Sequence, residues 1–199
     1  SISFEAKGGS LVVSLGNGEV RLKTFPPEDF PTIPLLSNTT NTLIKRDDLL
    51  KGIRSVWYAA STSLIKPELS SVYMYEEKGN VVSVATDSFR LAEKMVPLKT
   101  KTSFGVFLIP SKNIPELIRI LEEAPDEINL LSTEHQIAFV YDHVYLTSRL
   151  VQGTFPDYRQ IIPKDNVTEM ILLREDLENA LKKVGIFSDK FNQLRFTIN

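Results

Sequence analysis

The sequence predicts an α+β protein built from repeated units, and three observations point to this class. Short segments with alternating apolar residues, the pattern of half-buried strands, occur along most of the chain. Between them lie stretches whose apolar residues recur at helical spacing. One of these helical stretches occurs in two similar copies, which indicates a repeat. Helices that separate groups of strands in this way are typical of α+β domains.

The composition limits the possible classes of protein. The chain has 199 residues, enough for one large domain or for one domain with parts of others. Its formal charge of −2 is unlike that of proteins that grip phosphates with a large cationic surplus, although a locally positive surface is compatible with it. The lack of cysteine excludes disulfides and thiolate metal sites, and it fits a cytoplasmic protein. The first residues are strand-like and show no secretory signal.

The first part of the chain, residues 2–25, is predicted to form short strands. Apolar residues alternate with polar ones, and Asn17-Gly18 is a two-residue hairpin turn signal. Prolines within residues 25–31 then interrupt regular structure, because proline lacks the N–H donor and fixes φ. Residues 1–36 are therefore interpreted as the end of one domain with a linker.

Three helices and seven further strands are predicted after the linker. The first helix begins near Asp47, whose carboxylate favours the positive end of a helix dipole, and its apolar stripe extends to Ala60. Ser111 is predicted to cap the second helix, and the third runs from Arg174 to Phe187. The predicted strands are 72–75, 81–86, 104–109, 128–131, 136–141, 144–150 and 194–198.

The first and third helices carry the repeat. The letters RDDL at 46–49 match REDL at 174–177, an offset of 174 − 46 = 128 residues. Phe-Pro pairs at 30–31 and 155–156 repeat with an offset of 155 − 30 = 125 residues. Two markers with similar periods favour tandem domains, although amphipathic helices share patterns by chance and FP is a short motif. The predicted organisation is the end of one domain at 1–36, a complete domain at 37–163 and the beginning of another at 164–199.

Three segments, matching in order and spacing, resemble one known family. Residues 84–92, VATDSFRLA, are similar to VATDxxRLA, and the helix within residues 109–121 is similar to a PxK helix. Residues 147–159, TSRLVQGTFPDYR, are similar to TSRLVxGxFPDY, the most specific of the three. These motifs are those of the bacterial DNA polymerase III beta subunit, or beta sliding clamp. The resemblance covers essentially the whole chain, from the end of that family's first domain to the start of its third.

The resemblance implies the DNA clamp fold, in which repeated domains place helices along the inner face of a ring and antiparallel sheets outside. It implies a processivity factor that encircles duplex DNA, forms a head-to-tail homodimer and needs no cofactor. Such a protein is a non-catalytic accessory subunit of a nucleotidyltransferase. The implied partners are duplex DNA, the DNA polymerase III alpha subunit, the clamp loader and other proteins with a clamp-binding motif. Contacts to phosphates alone carry no sequence information, so the DNA would be bound independently of its sequence.

The family's partner pocket accepts a short linear motif, roughly QLxLF, and it maps onto positions of this chain. The implied lining residues are Leu69, Thr86, Ser88, Phe89, Arg90, Leu91, Pro156, Gln160, Ile161 and Phe191. From burial statistics alone, Leu69, Leu91 and Ile161 are better interpreted as core residues, and it is the resemblance that favours the pocket. The chain departs from residues frequent in the family at Phe89, where histidine is common, and at Gln160, where arginine is common, which leaves the motif preference open. The family completes this pocket with the end of its third domain, so this chain alone is expected to bind the motif weakly.

Basic residues on the predicted helices and in one loop are implied to face DNA. They are Lys51, Arg54, Lys66, Lys112, Arg119, Lys182 and Lys183. The alternative is an ordinary solvated helix face, and Glu122 and Glu123 dilute the second cluster. If these residues do face DNA, the affinity should be weak and should fall steeply with salt.

Two other functions compete with the clamp. An enzyme is disfavoured because His135 and His143 lack metal-ligand partners at a diagnostic spacing and no phosphate-binding glycine loop occurs. Asp87 beside Ser88 indicates a turn more strongly than a catalytic pair. The second alternative is a repeat-built protein-interaction module that does not encircle DNA. A positive helix-lined face would favour the clamp, and a neutral or negative one would favour the module.

Overall fold

The computed structural model describes residues 1–32, 35–37, 39–98, 104–165, 167–188 and 194–197. Two units are distinguished within the chain, Ser1–Phe155 and Pro156–Asn199. Within the described residues, all of the strands belong to the first unit. Among all the described residues, no helix is long and apolar enough to cross a membrane.

The first unit begins with a three-stranded antiparallel sheet. Its strands, which pair in chain order, are β1 Ile2–Lys7, β2 Ser10–Leu15 and β3 Gly18–Lys23. The predicted hairpin is confirmed, but its turn is formed by Gly16 and Asn17, one position earlier than predicted, because Leu15 pairs with Gly18. Gly16 has a φ of 54°, a conformation that glycine adopts without a Cβ clash.

Two four-stranded antiparallel sheets form the rest of the unit. The strands are β4 Thr40–Lys45, β5 Ser71–Glu77, β6 Asn80–Thr86, β7 Leu91–Pro97, β8 Phe107–Pro110, β9 Glu127–Ser132, β10 Gln136–Tyr141 and β11 Val144–Arg149. One sheet has the order β11-β10-β9-β4 and the other has the order β7-β6-β5-β8. Each sheet therefore combines strands that are distant in the sequence.

The six strands predicted between residues 72 and 150 are confirmed, with bounds that differ by at most three residues. The sequence pattern predicts neither β4 nor β7. Both lie at the edge of a sheet, and their sequences, TNTLIK and LAEKMVP, mix apolar with polar or charged residues. Edge strands tolerate such residues because one side of the strand meets solvent, so the alternation that identifies a strand is weakened.

The first helix, α1, spans Arg46–Arg54 and is shorter than predicted. Ser55 Oγ donates a hydrogen bond of 2.8 Å to the carbonyl oxygen of Lys51. The backbone then leaves the helical region at Val56, with a φ of −127°, and continues as a single 3-10 turn at Trp57–Ala59. Apolar residues at helical spacing therefore continue beyond the helix itself.

The second helix, α2, spans Ile114–Glu122 and contacts α1. The prediction that Ser111 caps it is wrong. Ser111 begins a 3-10 turn, Ser111–Asn113, and the residue before α2 is Asn113, whose side chain makes no capping hydrogen bond. Pro115 in the first turn helps to begin the helix, because its missing N–H would have no helical partner there.

A single core joins both helices to both four-stranded sheets. Ile53 of α1, Leu117 of α2, Met74 of β5 and Phe139 of β10 are all buried in it. The approach of α1 to the sheet of β6 is close. A Cβ placed on Gly52 would lie 2.8 Å from Ser83 Oγ, so the absence of a side chain at residue 52 permits this packing.

The described residues of the second unit form a 3-10 turn at Tyr158–Ile161 and one α-helix, α3, at Arg174–Gly185. It begins 174 − 46 = 128 residues after α1, which matches the predicted repeat, and it ends two residues earlier than predicted. None of its side chains is buried. The final strand predicted at 194–198 is wrong for residues 194–197, which adopt no regular structure, and residue 198 lies outside the described residues.

Candidate functional site

The β6–β7 hairpin carries five of the ten predicted pocket residues. Thr86 and Leu91 are the last pair of the two strands, and the backbone N–H of Asp87 donates to the carbonyl oxygen of Arg90 at 3.4 Å across the turn. Ser88 has a φ of 76°, which is uncommon for a residue with a side chain. The turn is therefore sharp, and its conformation needs support from neighbouring groups.

Side chains of the turn provide that support. Asp87 Oδ1 accepts hydrogen bonds of 3.0 Å from the N–H groups of Phe89 and Arg90, and Oδ2 accepts one of 3.0 Å from Arg90 Nε. Thr86 Oγ1 donates to the carbonyl oxygen of Arg90 at 2.7 Å and accepts from the N–H of Ser88 at 3.1 Å. Asp87 therefore acts as a turn residue, as its sequence context predicts.

The protonation of Asp87 reflects these contacts. Burial alone would raise the pKa of the Asp87 carboxyl. The hydrogen bonds from the N–H groups of Arg90 and Phe89, together with the Arg90 guanidinium, outweigh this effect and lower the pKa below its usual value. Asp87 is thus held as a carboxylate that fixes the turn, and it is not poised to exchange a proton near neutral pH.

The direction of the predicted pocket follows from the strand register. Val81 and Ala85 of β6 belong to the core that packs on α1. Since side chains alternate between the faces of a strand, Thr86 and its partner Leu91 project from the opposite face of the sheet. The pocket residues of β6 and β7 therefore lie on the side of the sheet away from the helices.

The pocket residues of the first unit differ in exposure. Leu69 and Thr86 are buried, and Leu91 is half-buried. Phe89, at the tip of the turn, is 98% exposed, which is unusual for an aromatic side chain of a folded unit. The guanidinium carbon of Arg90 lies 5.9 Å from the centre of the Tyr58 ring, a cation–π distance. Tyr58 is not among the predicted site residues, and no sequence signal links it to Arg90.

The remaining predicted pocket residues belong to the second unit. Pro156, Gln160 and Ile161 are exposed, and Gln160 Nε2 donates to Asp157 Oδ2 at 2.7 Å. Ile161 is 68% exposed, so the interpretation as a core residue does not hold within this unit. Phe191 lies outside the described residues.

The basic residues predicted to face DNA include two arginines that are already paired. Arg54, at the end of α1, forms an ion pair with Glu122 of α2. Arg119 Nη2 lies 2.5 Å from Glu116 Oε1 on the same helix. The hydrogen bond between them lowers the pKa of Glu116 and raises that of Arg119. Exposed arginines on this helix pair therefore carry a local carboxylate partner.

The predicted lysines are exposed. Lys51 on α1, Lys112 before α2 and Lys66 in the loop between them belong to the first unit. In the second unit, Lys182 Nζ lies 2.9 Å from Glu178 Oε1, and Lys183 is exposed. The exposed surface of α1 and α2 is thus a mixture of cations and carboxylates, without a strong positive surplus.

No group of three or more histidine and acidic side chains is arranged to hold a metal ion among the residues that the structure describes. Both histidines, His135 and His143, are exposed in loops. The candidate functional features of the described part of the chain are the predicted pocket residues and the charged helix surface.

Comparison with solved structures assigns the class of protein. A DNA polymerase sliding clamp from Bacillus subtilis superimposes with a TM-score of 0.86 at 28% identity, covering 95% of this chain and 50% of that one. The DNA polymerase III subunit beta from Pseudomonas aeruginosa gives a TM-score of 0.82 at 27% identity, with 95% and 52% covered. The fold is that of the DNA clamps, as the resemblance implies.

Sequence comparison then assigns the family. The family described as DNA polymerase III beta subunit, central domain, matches residues 43–157, more than half of the 199 residues. The beta sliding clamp of Bacillus subtilis is 30% identical over 179 residues, covering 89% of this chain and 47% of that protein. The beta sliding clamp of Pseudomonas aeruginosa is 27% identical over 203 residues, with 100% and 54% covered. The chain belongs to the DNA polymerase III beta subunit family, and it spans about half the length of these relatives.

Proposed function

We propose that this chain forms part of a sliding clamp, a processivity factor that encircles duplex DNA and tethers a replicative polymerase. The observation that carries the proposal is the match of residues 43–157 to the central domain of the DNA polymerase III beta subunit. The fold agrees with it over 95% of the chain. A clamp of this kind is held on DNA by topology, so it needs no base-specific contacts.

The two faces of the domain support different roles, DNA binding on one face and partner binding on the other. The helices α1 and α2 lie together on one side, with Lys51 and Lys112 exposed near them. The pocket residues Thr86 and Leu91 project from the opposite face of their sheet. In the proposed ring the helices face the duplex, and the pocket on the other side stays accessible to proteins that carry a linear motif.

The mixed charge of the helix surface bears on the alternative function. A neutral surface is what a protein-interaction module without DNA would show, and the pairing of Arg54 and Arg119 with carboxylates moves the surface in that direction. The family match outweighs this feature. A ring that slides also gains from weak binding, because each phosphate contact that must break slows its movement.

The organisation and partners belong to the same proposal. Residues 1–36 end one clamp domain, residues 37–163 form a complete one, and residues 164–199 begin a third. The protein is a non-catalytic, cytoplasmic subunit that forms a head-to-tail homodimer. Its partners are duplex DNA, the polymerase alpha subunit, the clamp loader and other motif-bearing proteins, and it needs no cofactor.

The experiment that tests encirclement uses the full-length polypeptide that contains this chain. The protein is loaded on a nicked circular DNA with a bacterial clamp loader, and its retention is measured by gel filtration before and after the circle is linearised. Retention on the circle and release from the linear DNA are expected. Equal retention on both forms would indicate binding to the DNA surface and would contradict the proposal.

A further inference from the structure

The first unit ends in a loop that bridges a cavity. Residues 151–155 come shortly after β11, and the cavity beside them has a volume of about 220 Å³. Its walls include Tyr73 of β5 and Leu108 of β8. Residues 152–154 are exposed. The middle of the loop is therefore not packed into the core, and its position depends on the contacts at its two ends.

Two hydrogen bonds fix the beginning of the loop. The backbone N–H of Val151 donates to the carbonyl oxygen of Leu108 at 2.9 Å, and Gln152 Nε2 donates to the carbonyl oxygen of Glu134 at 3.0 Å. The second hydrogen bond is exposed, so water competes for both of its groups. Phe155 lies four residues beyond Val151, and an extended chain of that length spans about 13 Å. A fixed position for Phe155 therefore needs a contact of its own.

The ring of Phe155 makes such a contact with Tyr73. The two ring centres are 4.8 Å apart, and the ring planes differ by 9°. Attractive aromatic pairs have centre distances of about 4.5–7 Å, so this stacked pair is a close one. Phe155 is 7% exposed, whereas Phe30, the matching residue of the Phe-Pro repeat, is 76% exposed. The Phe-Pro sequence does not by itself bury its ring, so the burial of Phe155 depends on partners such as Tyr73.

Tyr73 is well placed to fix a neighbouring ring, because its own backbone lies inside a sheet. It pairs with Val84 of β6 on one side and with Leu108 of β8 on the other. The adjacent residues of the strand, Val72 and Met74, are both buried in the core. The Tyr73 ring therefore projects from a rigid strand toward the end of the loop.

The residues that follow the loop carry the consequence for function. Pro156 comes directly after Phe155, and Gln160 and Ile161 follow within the next few residues; all three are predicted pocket residues. We propose that Tyr73 is a positioning residue for the motif pocket, because its stack with Phe155 fixes the point from which these residues continue. The inference rests on the proposed function of the pocket. Tyr73 is not itself among the predicted pocket residues.

The expected effect is a loss of apparent affinity. A pocket that is correctly arranged in only a fraction of the molecules binds with an affinity reduced by that fraction. Tyr73→Leu removes the ring and keeps an apolar side chain on β5. In the full-length polypeptide it is expected to weaken a fluorescein-labelled Gln-Leu-Ser-Leu-Phe peptide about five- to tenfold, measured by fluorescence anisotropy.

Two further variants assign the loss to the stack. Tyr73→Phe keeps the ring and should retain the peptide affinity within about twofold. Tyr75→Leu is the matched control, because it removes a ring from the same strand and leaves Tyr73 in place. The Tyr75 ring is tilted by 31° against that of Tyr73 and is not stacked on it. The affinity of Tyr75→Leu should also stay within about twofold of that of the unchanged protein.

A spin label distinguishes positioning from a general loss of stability. The label is attached to the cysteine of Thr154→Cys, an exposed position next to Phe155, after any cysteine outside this chain has been replaced by serine. The EPR spectrum is expected to show a mobile label in Tyr73→Leu and a restricted one in Tyr73→Phe and Tyr75→Leu. Urea denaturation of the same proteins reports global stability, which local loosening of a loop leaves largely unchanged.

The other member of the stack gives an independent variant. Phe155→Leu should weaken the peptide as much as Tyr73→Leu does. The double variant should weaken it no more than either single change, because both changes remove the same contact. Additive losses would show that the two rings act separately and would contradict the proposal.

The remaining results that would overturn the proposal are specific. They are unchanged peptide affinity in Tyr73→Leu, a restricted label in that variant, and an equal loss of affinity in Tyr73→Phe or in Tyr75→Leu. Absence of peptide binding by the unchanged protein would overturn the proposed pocket and this inference together. Binding that survives Tyr73→Leu would overturn this inference alone, so the two failures are distinguishable.

Discussion

Arg54, the last residue of α1, forms an ion pair with Glu122, the last residue of α2, and so joins the two helices at their C-terminal ends. An exposed pair of this kind contributes only about 0–1 kcal/mol to stability. Its effect on DNA binding is expected to be larger than its effect on stability. The carboxylate of Glu122 occupies the guanidinium that a phosphate would otherwise contact, so the helix pair is expected to bind DNA weakly.

The change Glu122→Gln is expected to strengthen binding to duplex DNA. It frees Arg54 for one additional phosphate, which should raise the affinity a few-fold at low salt and steepen the slope of log K against log salt by about 0.9. Fluorescence anisotropy of a labelled duplex at several salt concentrations measures both quantities. Glu123→Gln removes the same charge and leaves the Arg54 pair intact. An equal effect of the two variants would assign the change to net charge and contradict a role for the ion pair.

The close contact between α1 and β6 predicts that the effect of Gly52→Ala on stability changes sign when Ser83 is replaced by alanine. Gly52→Ala places a Cβ 2.8 Å from Ser83 Oγ, and overpacking of this kind costs about 1–3 kcal/mol. This exceeds the gain in helix propensity of about 1 kcal/mol, so a loss of about 1 kcal/mol in the free energy of unfolding is expected.

In a Ser83→Ala background the same change should stabilise the protein by up to about 1 kcal/mol, because the next atoms lie at 3.8 Å, an ordinary contact distance. Ser83→Ala alone should cost little, since the buried Ser83 Oγ has no hydrogen-bond partner among the residues that the structure describes. Urea denaturation of the four proteins measures the cycle. A loss of stability from Gly52→Ala in both backgrounds would show that the hydroxyl is not the obstacle.

The turn at Asp87 predicts a pH-dependent stability. Its folded pKa is lowered, so its contribution is complete above its unfolded pKa of about 3.9 and is lost as the pH falls through the lower folded value. Asp87→Ala is expected to lower the free energy of unfolding by at least about 1 kcal/mol at neutral pH, with a smaller difference in acid. Denaturation at several pH values measures this effect, with the exposed Asp29→Ala as control. An Asp87 pKa at or above its usual value, measured by carbon NMR of the carboxyl, would contradict the account.

The exposed ring of Phe89 predicts a separation of stability from partner binding. Phe89→Ala should change the free energy of unfolding by less than about 0.5 kcal/mol, because 98% of the side chain is exposed. If the ring lines the motif pocket, the same change should weaken a QLxLF peptide at least about tenfold in the full-length polypeptide. Val106→Ala, at an apolar position that is 67% exposed, is the matched control. Unchanged peptide affinity in Phe89→Ala would remove Phe89 from the pocket.

The sequence predicts strands whose apolar residues form a clear run, and it fails where polar residues interrupt that run. The strand β10 is predicted with its observed bounds, because the apolar run IAFVY follows Gln136 and ends at the turn residue Asp142. The edge strands β4 and β7 escape prediction, because solvent on one side permits Thr, Asn, Glu and Lys within them. The end of α1 is misplaced because Trp57 and Ala60 continue the apolar spacing in a segment that has already left the helix.

The residues of the candidate sites also divide into those that the sequence predicts and those that it does not. Thr86 and Leu91 follow from the VATDSFRLA motif, whose resemblance to a family is local in the sequence. The pairs Arg54–Glu122 and Arg90–Tyr58 join residues that are far apart in the chain, so they depend on how the helices and the turn pack. The sequence predicts only that Glu122 dilutes a basic cluster, whereas its ion pair with Arg54 makes it a specific partner. Tertiary pairing of this kind leaves no periodic signal.

The central claim, that α1 and α2 face the duplex, has a direct test because the chain contains no cysteine. A photo-crosslinker is attached to the cysteine of Lys51→Cys on α1 or, in a second variant, to that of Met95→Cys. The Met95 side chain projects from the sheet face opposite α1 and is 48% exposed. Any cysteine outside this chain is first replaced by serine, and the full-length polypeptide is then loaded on circular DNA and irradiated. Crosslinks to DNA from residue 51 and none from residue 95 are expected, whereas equal crosslinking from both positions, or crosslinking from residue 95 alone, would contradict the account.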